Sequence, residues 1–257
     1  MANSPSGDSM VSRITRVLAS FDSTRVSQSA SQIARRAGLP LSTAHRLVGL
    51  LVDEGLLERD GDGDVRIGIR LWELTTRGSH ALELRQLAMP FMEEVQARLR
   101  EHTQLGVLDH DEVLFIERLS APDAGANITR IAGRLPLHAS SSGLVLLAFA
   151  EPDFQNRILA GPLTAVSPET ITDARVLRRE LAAVRARGYS FAPGSIETVS
   201  TGIAVPVSDI SGVIAALSVV LPRDTAREPA TVAVLNRAAD GIHSALARSQ
   251  FRSDATF

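Results

Sequence analysis

Two clusters of polar side chains carry the chemistry this chain can do. Ser42, Thr43, His45 and Arg46 fall close together inside a segment whose apolar residues recur with a helical period. Hydroxyl, imidazole and guanidinium groups grouped in this way can reach base edges and phosphate oxygens. The second cluster is His138 followed by Ser140, Ser141 and Ser142, directly ahead of the apolar run GLVLLAFA. A histidine beside serines raises the possibility of a hydrolase pair. Their spacing at a strand–helix junction does not bring a base onto its nucleophile, and no orienting acid is apparent. The chain has no Walker loop, no G-x-S-x-G elbow and no H-E-x-x-H. Its six histidines (His45, His80, His102, His110, His138 and His243) lack ligand spacing, and cysteine is absent. Catalysis, a metal site and a cofactor are therefore not expected.

The first cluster needs a helix to present it. Residues 10–20 predict a first helix with Val11, Ile14, Val17 and Leu18 on one stripe. Residues 21–30, rich in Ser, Thr and Gln, read as a linker turn. Ser29 or Ser31 can cap a second helix that runs to Ala37, and Gly38 suits its left-handed exit. Pro40 fits the first turn of a third helix. Ala44, Leu47, Val48 and Leu51 form the buried face of that helix. Ser42, Arg46, Gly49 and Asp53 then fall on the opposite side, flanked by Thr43 and His45. A hairpin follows: 56–59, an Asp/Gly tip at 60–64, then 65–69. This order is that of a winged helix-turn-helix, which lays one helix in the DNA major groove and reads bases from that helix's N-terminal residues.

Charge refines the contact surface. Residues 1–52 hold six arginines against two aspartates, whereas residues 53–64 hold one arginine against six acids. A wing with three aspartates at its tip repels phosphate. Either it stands clear of DNA, or only Arg59 and Arg66 on its strands reach in. The expected DNA-contacting set is Ser42, Thr43, His45 and Arg46, with Ser31 and Arg36 on the preceding helix and Arg59 and Arg66 on the wing.

These residues carry a resemblance. GLPLSTAHRL (38–47) is similar to the reader-helix core of the IclR family of bacterial transcriptional regulators. RIGIRLWEL (66–74) resembles that family's wing-exit signature, with Ile67 in place of a leucine.

The second cluster needs a second domain. Residues 70–100 read as one long helix or two abutting ones, with Pro90 starting a new helix or kinking the old one. Their apolar stripe either pairs with a second copy or packs on its own domain. Beyond Thr103 the pattern alternates: a hairpin over 106–119 turning near His110, a strand over 128–138, helices near 140–150, 152–160 and 173–187, strands near 203–208 and 213–221, and a last helix near 228–249. This predicts a mixed sheet flanked by helices, an α+β sensor-like layout. The helix after Ser140 is apolar all round and so is buried, with free N–H groups and a positive dipole end at its start. Either its serines merely cap it while His138 bonds a backbone carbonyl, or they line a site for a small anion such as a carboxylate.

The resemblance extends to this half, through GRLPLHASSSGLVLLA (133–148), RGYSF (187–191), TGIAVPVSDISGVIAALSV (201–219) and the terminal helix. It implies a GAF-like domain that binds a carboxylate or aromatic acid. The positions it transfers are Ser141, Ser142, Gly202 and Ser218, with Leu135 and His138 at the edge and Ser140 beside them. Family members that bind small keto-acids place an acid near Ala192 or Pro193 and a cysteine at Gly202, and the family lysine is Leu144 here. The absence of these groups predicts a roomier site for a ligand larger than glyoxylate or pyruvate, with Glu197 and Thr201 as compensating polar groups.

The whole chain agrees with a regulator. It has 257 residues, 44% hydrophobic and 22% charged, net charge −2, and all 27 basic residues are arginine. No apolar run approaches the roughly 18–20 residues of a membrane span, so a cytoplasmic location is expected. The expected fold class is α+β: a winged helix-turn-helix over 1–72, a linker helix over 73–89, and a GAF-like effector-binding and oligomerisation domain over 90–257. The expected function is a DNA-binding transcriptional regulator controlled by a small organic acid. A repressor is expected ahead of an activator of a catabolic operon or an effector-independent DNA binder. The expected partners are a pseudo-palindromic double-stranded operator and a second copy of the chain, as a homodimer or a dimer of dimers.

Overall fold

A computed structural model describes residues 8–22, 24–121, 131–224 and 228–254. The chain divides into two compact units, Met1–Ser79 and His80–Phe257.

The first unit runs α1 (Met10–Leu18), β1 (Ser27–Gln28), α2 (Ala30–Ala37), α3 (Leu41–Asp53), β2 (Leu57–Arg59), β3 (Val65–Ile67) and α4 (Ile69–Thr76). Ser29 starts α2 with a capping box: its hydroxyl accepts from Gln32 N–H, and the Gln32 side chain accepts from Ser29 N–H. Gly38 ends α2 at φ 60°, ψ 40°, the left-handed region where a side chain is strained. Pro40 is the cap of α3 rather than part of its first turn. Ala44, Leu47, Val48 and Leu51 are buried as the helical period requires. Leu47, Val48 and Leu51 pack with Val17, Ile33 and Ala37 into one core that Leu57 and Val65 of the wing complete. Burying a side chain such as Leu47 stabilises the unit by about 1.5–3 kcal/mol. The 21–30 segment is more than a turn, because Ser27 and Gln28 pair with Arg66 and Val65 and make the wing a three-stranded sheet ordered β1-β3-β2.

The second unit opens with α5 (His80–Leu99), which continues through Pro90. The break expected at Pro90 falls instead between α4 and α5, at Arg77–Ser79 around Gly78. Leu84, Ala88, Met92 and Val95 bury one stripe on both sides of Pro90, and this packing outweighs the single backbone bond that proline removes. There follow β4 (His102–Asp109), β5 (Glu112–Leu119), β6 (Arg134–Pro136), α6 (Ser141–Phe149), α7 (Pro152–Ala160), α8 (Ala174–Arg187), β7 (Ser190–Pro193), β8 (Ser200–Asp209), β9 (Gly212–Pro222) and α9 (Glu228–Asp254). The part of the expected strand over 128–130 lies outside the described residues.

The six strands are ordered β6-β5-β4-β9-β8-β7. Every neighbouring pair is antiparallel, so the sheet is not mixed as the alternating pattern implied. α5 and α9 cover one face, where Met92, Leu235 and Ile242 meet Leu105, Val205 and Leu217. α6 and α8 cover the other, where Leu144, Leu147, Leu177 and Leu181 meet Val113, Phe115 and Ala216. Residues Ser141 through Ala148 of α6 are all buried, as an all-apolar helix requires. Its third residue must be glycine, because a Cβ on Gly143 would stand 2.3 Å from the Leu137 carbonyl oxygen.

Candidate nucleic-acid interface and ligand cavity

In the first unit α3 presents Ser42, His45 and Arg46 to solvent, with Thr43 half-buried beside them. The apolar stripe fixes this orientation, since burying Ala44, Leu47 and Val48 turns the opposite face outward. Pro40 makes no side-chain cap bond to α3, so the first N–H groups of that helix meet no capping side chain. Among the described residues the Arg46 guanidinium makes no ion pair or hydrogen bond. The same is true of exposed Arg35 on α2, which the sequence reading passed over.

The other expected contacts are engaged within the unit. Arg36 donates from Nη1 to the Ser20 carbonyl (3.1 Å) and to Gln28 Oε1 (2.8 Å), fastening α2 to the segment ahead of it. Ser31 is exposed, with its hydroxyl 2.9 Å from that of Ser29. On the wing, Arg59 donates to the Gly63 carbonyl and Arg66 pairs with Glu58 at 2.7 Å. Asp60 is also engaged: it accepts from the Ser27 hydroxyl at 2.6 Å and from the N–H groups of Asp62 and Asp64. The Ser27 hydroxyl, aided by those two N–H groups, holds its carboxyl below the usual carboxylate range.

In the second unit an open cavity lies on the α6 face of the sheet. Leu135, Ser140, Ser141, Ser142, Glu197 and Gly202 all line it. Strand pairing gathers them: Gly202 sits between Ala192 on β7 and Val220 on β9, and Leu135 pairs with Val113 on β5.

The start of α6 forms the polar end. Ser140 caps the helix by accepting from Gly143 N–H at 3.0 Å. Ser142 donates to Ser218 Oγ at 2.9 Å. The Ser141 carbonyl takes the Ser190 hydroxyl at 2.7 Å. The Ser141 hydroxyl is left without a partner among the described residues, although Ser141 is only 7% exposed. It lies against Gly202, where a Cβ would come within 2.6 Å of it. The N–H groups of the first turn have no acceptor within the helix, which makes this end electropositive.

Three expected residues stand off the wall. His138 donates from Nε2 to the Thr164 carbonyl at 2.9 Å, so it anchors the 161–173 connection. Ser218 lies behind Ser142 as its acceptor. Thr201 falls on the other face of β8, because alternation sends Gly202 and Ala204 toward α6 but Ile203 and Val205 toward α5 and α9.

Gln104, Phe115, Ala139, Ser195, Ile196 and Ser200 line the cavity without having been expected. Gln104 and Phe115 come from β4 and β5, strands distant in sequence, and only their buried polar or aromatic character hinted at a role. Ser195 and Ile196 come from the β7–β8 connection. That loop is fastened where Ser167 donates to the Gly194 carbonyl (2.6 Å) and Thr170 to the Ser195 carbonyl (2.7 Å). Arg223 pairs with Glu169 at 2.6 Å beside it. Among the described residues no helix is long and apolar enough to cross a membrane.

Known proteins resemble both units. Residues 10–61 match the IclR helix-turn-helix domain, and residues 77–243 match the family described as bacterial transcriptional regulator IclR C-terminal. The chain is 32% identical over 211 residues to the HTH-type transcriptional regulator XynR of Escherichia coli, spanning 81% of this chain and 84% of XynR. It is similar to the crystal structure of an IclR homolog from Microbacterium hydrocarbonoxydans complexed with 4-hydroxybenzoate. That likeness has 57% identity and a TM-score of 0.88 over 93% of this chain and 99% of the other. An IclR homolog from Microbacterium sp. strain HM58-2 shares 56% identity with a TM-score of 0.62, over 92% of this chain and 97% of the other.

Proposed function

The chain belongs to the IclR family of bacterial transcriptional regulators, and on that premise we propose that its cavity takes a small aromatic carboxylate whose binding releases the protein from DNA. It is a DNA-binding regulator with a small-molecule effector, and the proposal concerns which effector and with what sign. The observation that carries the ligand class is the buried start of α6 on the cavity wall, with the Ser141 hydroxyl and the N–H groups of Ser141 and Ser142 left without partners among the described residues. Such an end takes a carboxylate. The bound 4-hydroxybenzoate of the similar Microbacterium protein supports an aromatic member of that class.

The DNA-reading set of this proposal is Ser42, Thr43, His45 and Arg46 on α3, with Arg35 and Ser31 on α2 as backbone contacts. Arg36, Arg59 and Arg66 act mainly in holding their own unit together. One α3 offers few base contacts, so a homodimer, or a dimer of dimers, reads a pseudo-palindromic operator in the cytoplasm. This reading gives the chain no catalytic role. The test is fluorescence anisotropy of a labelled duplex from the promoter beside the protein's own gene, titrated with full-length protein with and without 4-hydroxybenzoate. Release by the ligand is the expected result, and Ser141→Tyr, which fills the cavity, removes it. Tighter DNA binding with ligand would overturn the repressor assignment, and an unchanged response in Ser141→Tyr would overturn the site.

A further inference from the structure

We infer that Glu197 makes this cavity selective for monoanionic aromatic acids that carry a hydrogen-bond donor at the end remote from the carboxylate, and that it turns diacids away. The inference rests on the reading of the cavity as an aromatic-acid site. Among the described residues Glu197 is the one ionisable side chain on the wall, and no arginine or histidine reaches it. A ligand carboxylate is best placed at the start of α6, away from the Glu197 charge, where the helix end is electropositive and the neutral donors are the N–H groups of Ser141 and Ser142 and the Ser141 hydroxyl, on a residue 7% exposed.

Glu197 marks the other end. Ser141 packs against Gly202. Gly202 and Ser200 are two residues apart on β8, which is about 7 Å along an antiparallel strand. Glu197 lies beyond Ser200 in the connecting loop, with its main-chain carbonyl taken by Ser200 N–H at 3.0 Å. A single aromatic ring fills such a span. The Glu197 carboxylate, half-buried and without a partner among the described residues, favours a hydroxyl or amine facing it and disfavours a second negative charge. The loop is held in place through Ser167 and Thr170, so Glu197 is presented from a fixed wall.

Isothermal titration calorimetry of the full-length protein tests this with 4-hydroxybenzoate, 4-fluorobenzoate and terephthalate. Fluorine is close to a hydroxyl in size but donates nothing, and terephthalate adds the second charge. The wild type binds 4-hydroxybenzoate about tenfold or more tighter than 4-fluorobenzoate, the scale of a hydrogen bond to a charged group. Glu197→Ala brings the two ligands to within about threefold. Glu197→Gln, which keeps the shape and removes the charge, strengthens terephthalate binding by about tenfold. A wild-type preference that survives in Glu197→Ala, or terephthalate still rejected by Glu197→Gln, overturns the inference while leaving the aromatic-acid site standing. If the wild type binds none of the three, the aromatic-acid reading falls and the role of Glu197 falls with it.

Discussion

Replacing Gly202 by alanine strikes the polar end of the cavity with a single methyl group. The added Cβ stands 2.6 Å from Ser141 Oγ and 3.1 Å from Ser141 Cβ. The first contact is relieved by turning the Ser141 hydroxyl away from the strand, at the cost of placing it in the space the ligand needs. The second is not relieved by rotation. It requires α6 or β8 to move by a few tenths of an ångström, yet α6 is buried from Ser141 to Ala148 and already rests on the Leu137 backbone through Gly143. Overpacking of this kind costs about 1–3 kcal/mol. At about 2–4 °C per kcal/mol for a unit of this size, Tm falls by about 2–12 °C. Ligand affinity falls in the same variant. Thermal unfolding with and without 4-hydroxybenzoate reads both effects. The double variant Ser141→Ala/Gly202→Ala removes the shorter contact and should recover about 0.5–3 kcal/mol relative to additivity. A Gly202→Ala protein with unchanged Tm and unchanged ligand-induced stabilisation would refute the close packing of Ser141 on Gly202 as the basis of the polar end.

Arg46→Ala should weaken operator binding by about 1–3 kcal/mol, the scale of a lost bidentate base contact, with thermal unfolding unchanged because Arg46 is exposed and unpaired; equal anisotropy curves for variant and wild type would remove it from the reading set. Ser29→Ala removes the hydroxyl half of the capping box and leaves the bond from the residue-29 N–H to Gln32 Oε1; it should cost the first unit about 1 kcal/mol, measured by urea denaturation, and no shift in midpoint would show that the hydroxyl cap contributes nothing. The folded-state value for Asp60 lies below its ordinary 3.8, so its contribution to the wing is fully present above the ordinary carboxylate range and is lost as pH falls through the depressed value. The side-chain carboxyl 13C shift of Asp60 should therefore titrate with a midpoint below the ordinary 3.8, and a midpoint at or above 3.8 would contradict the hydrogen bonds from Ser27 and the turn. Gly143→Ala should prevent α6 from seating, because its Cβ meets Leu137 backbone atoms that cannot rotate away; soluble protein with wild-type Tm would refute that close approach.

The local features were legible from residue types and spacing because the forces that set them act within a turn or two of chain. A serine cap on α2, the left-handed exit at Gly38, the buried stripe of α3 and the all-buried α6 follow from hydrogen-bond valence, backbone sterics and the 3.6-residue period, while the structure chose Ser29 over Ser31 as the cap. Those same signals turn Ser42, His45 and Arg46 outward and set Ser140–Ser142 at a buried helix start. β1 escaped notice because two residues carry no period, and it exists only because Arg66 and Val65 lie beside it. Arg36, Arg59 and Arg66 look alike in sequence to Arg46. Only folding brings Ser20, Gly63 and Glu58 within reach of them and leaves Arg46 without a partner among the described residues.

The cavity shows the same division. The order of its elements and the hydroxyls at its polar end are properties of contiguous sequence. Which side chains face it depends on the register of six antiparallel strands, in which a shift of one residue exchanges the two faces. That register turned Thr201 away, set Ser218 behind Ser142 and gave His138 to the Thr164 carbonyl. It also brought Gln104 and Phe115 from strands far along the chain. Contiguous residues specify a helix-turn-helix whose third helix turns Ser42 and Arg46 outward, and a buried helix start bearing three hydroxyls. Which residues meet around that start is set by folding, because long-range pairing free energy fixes the register.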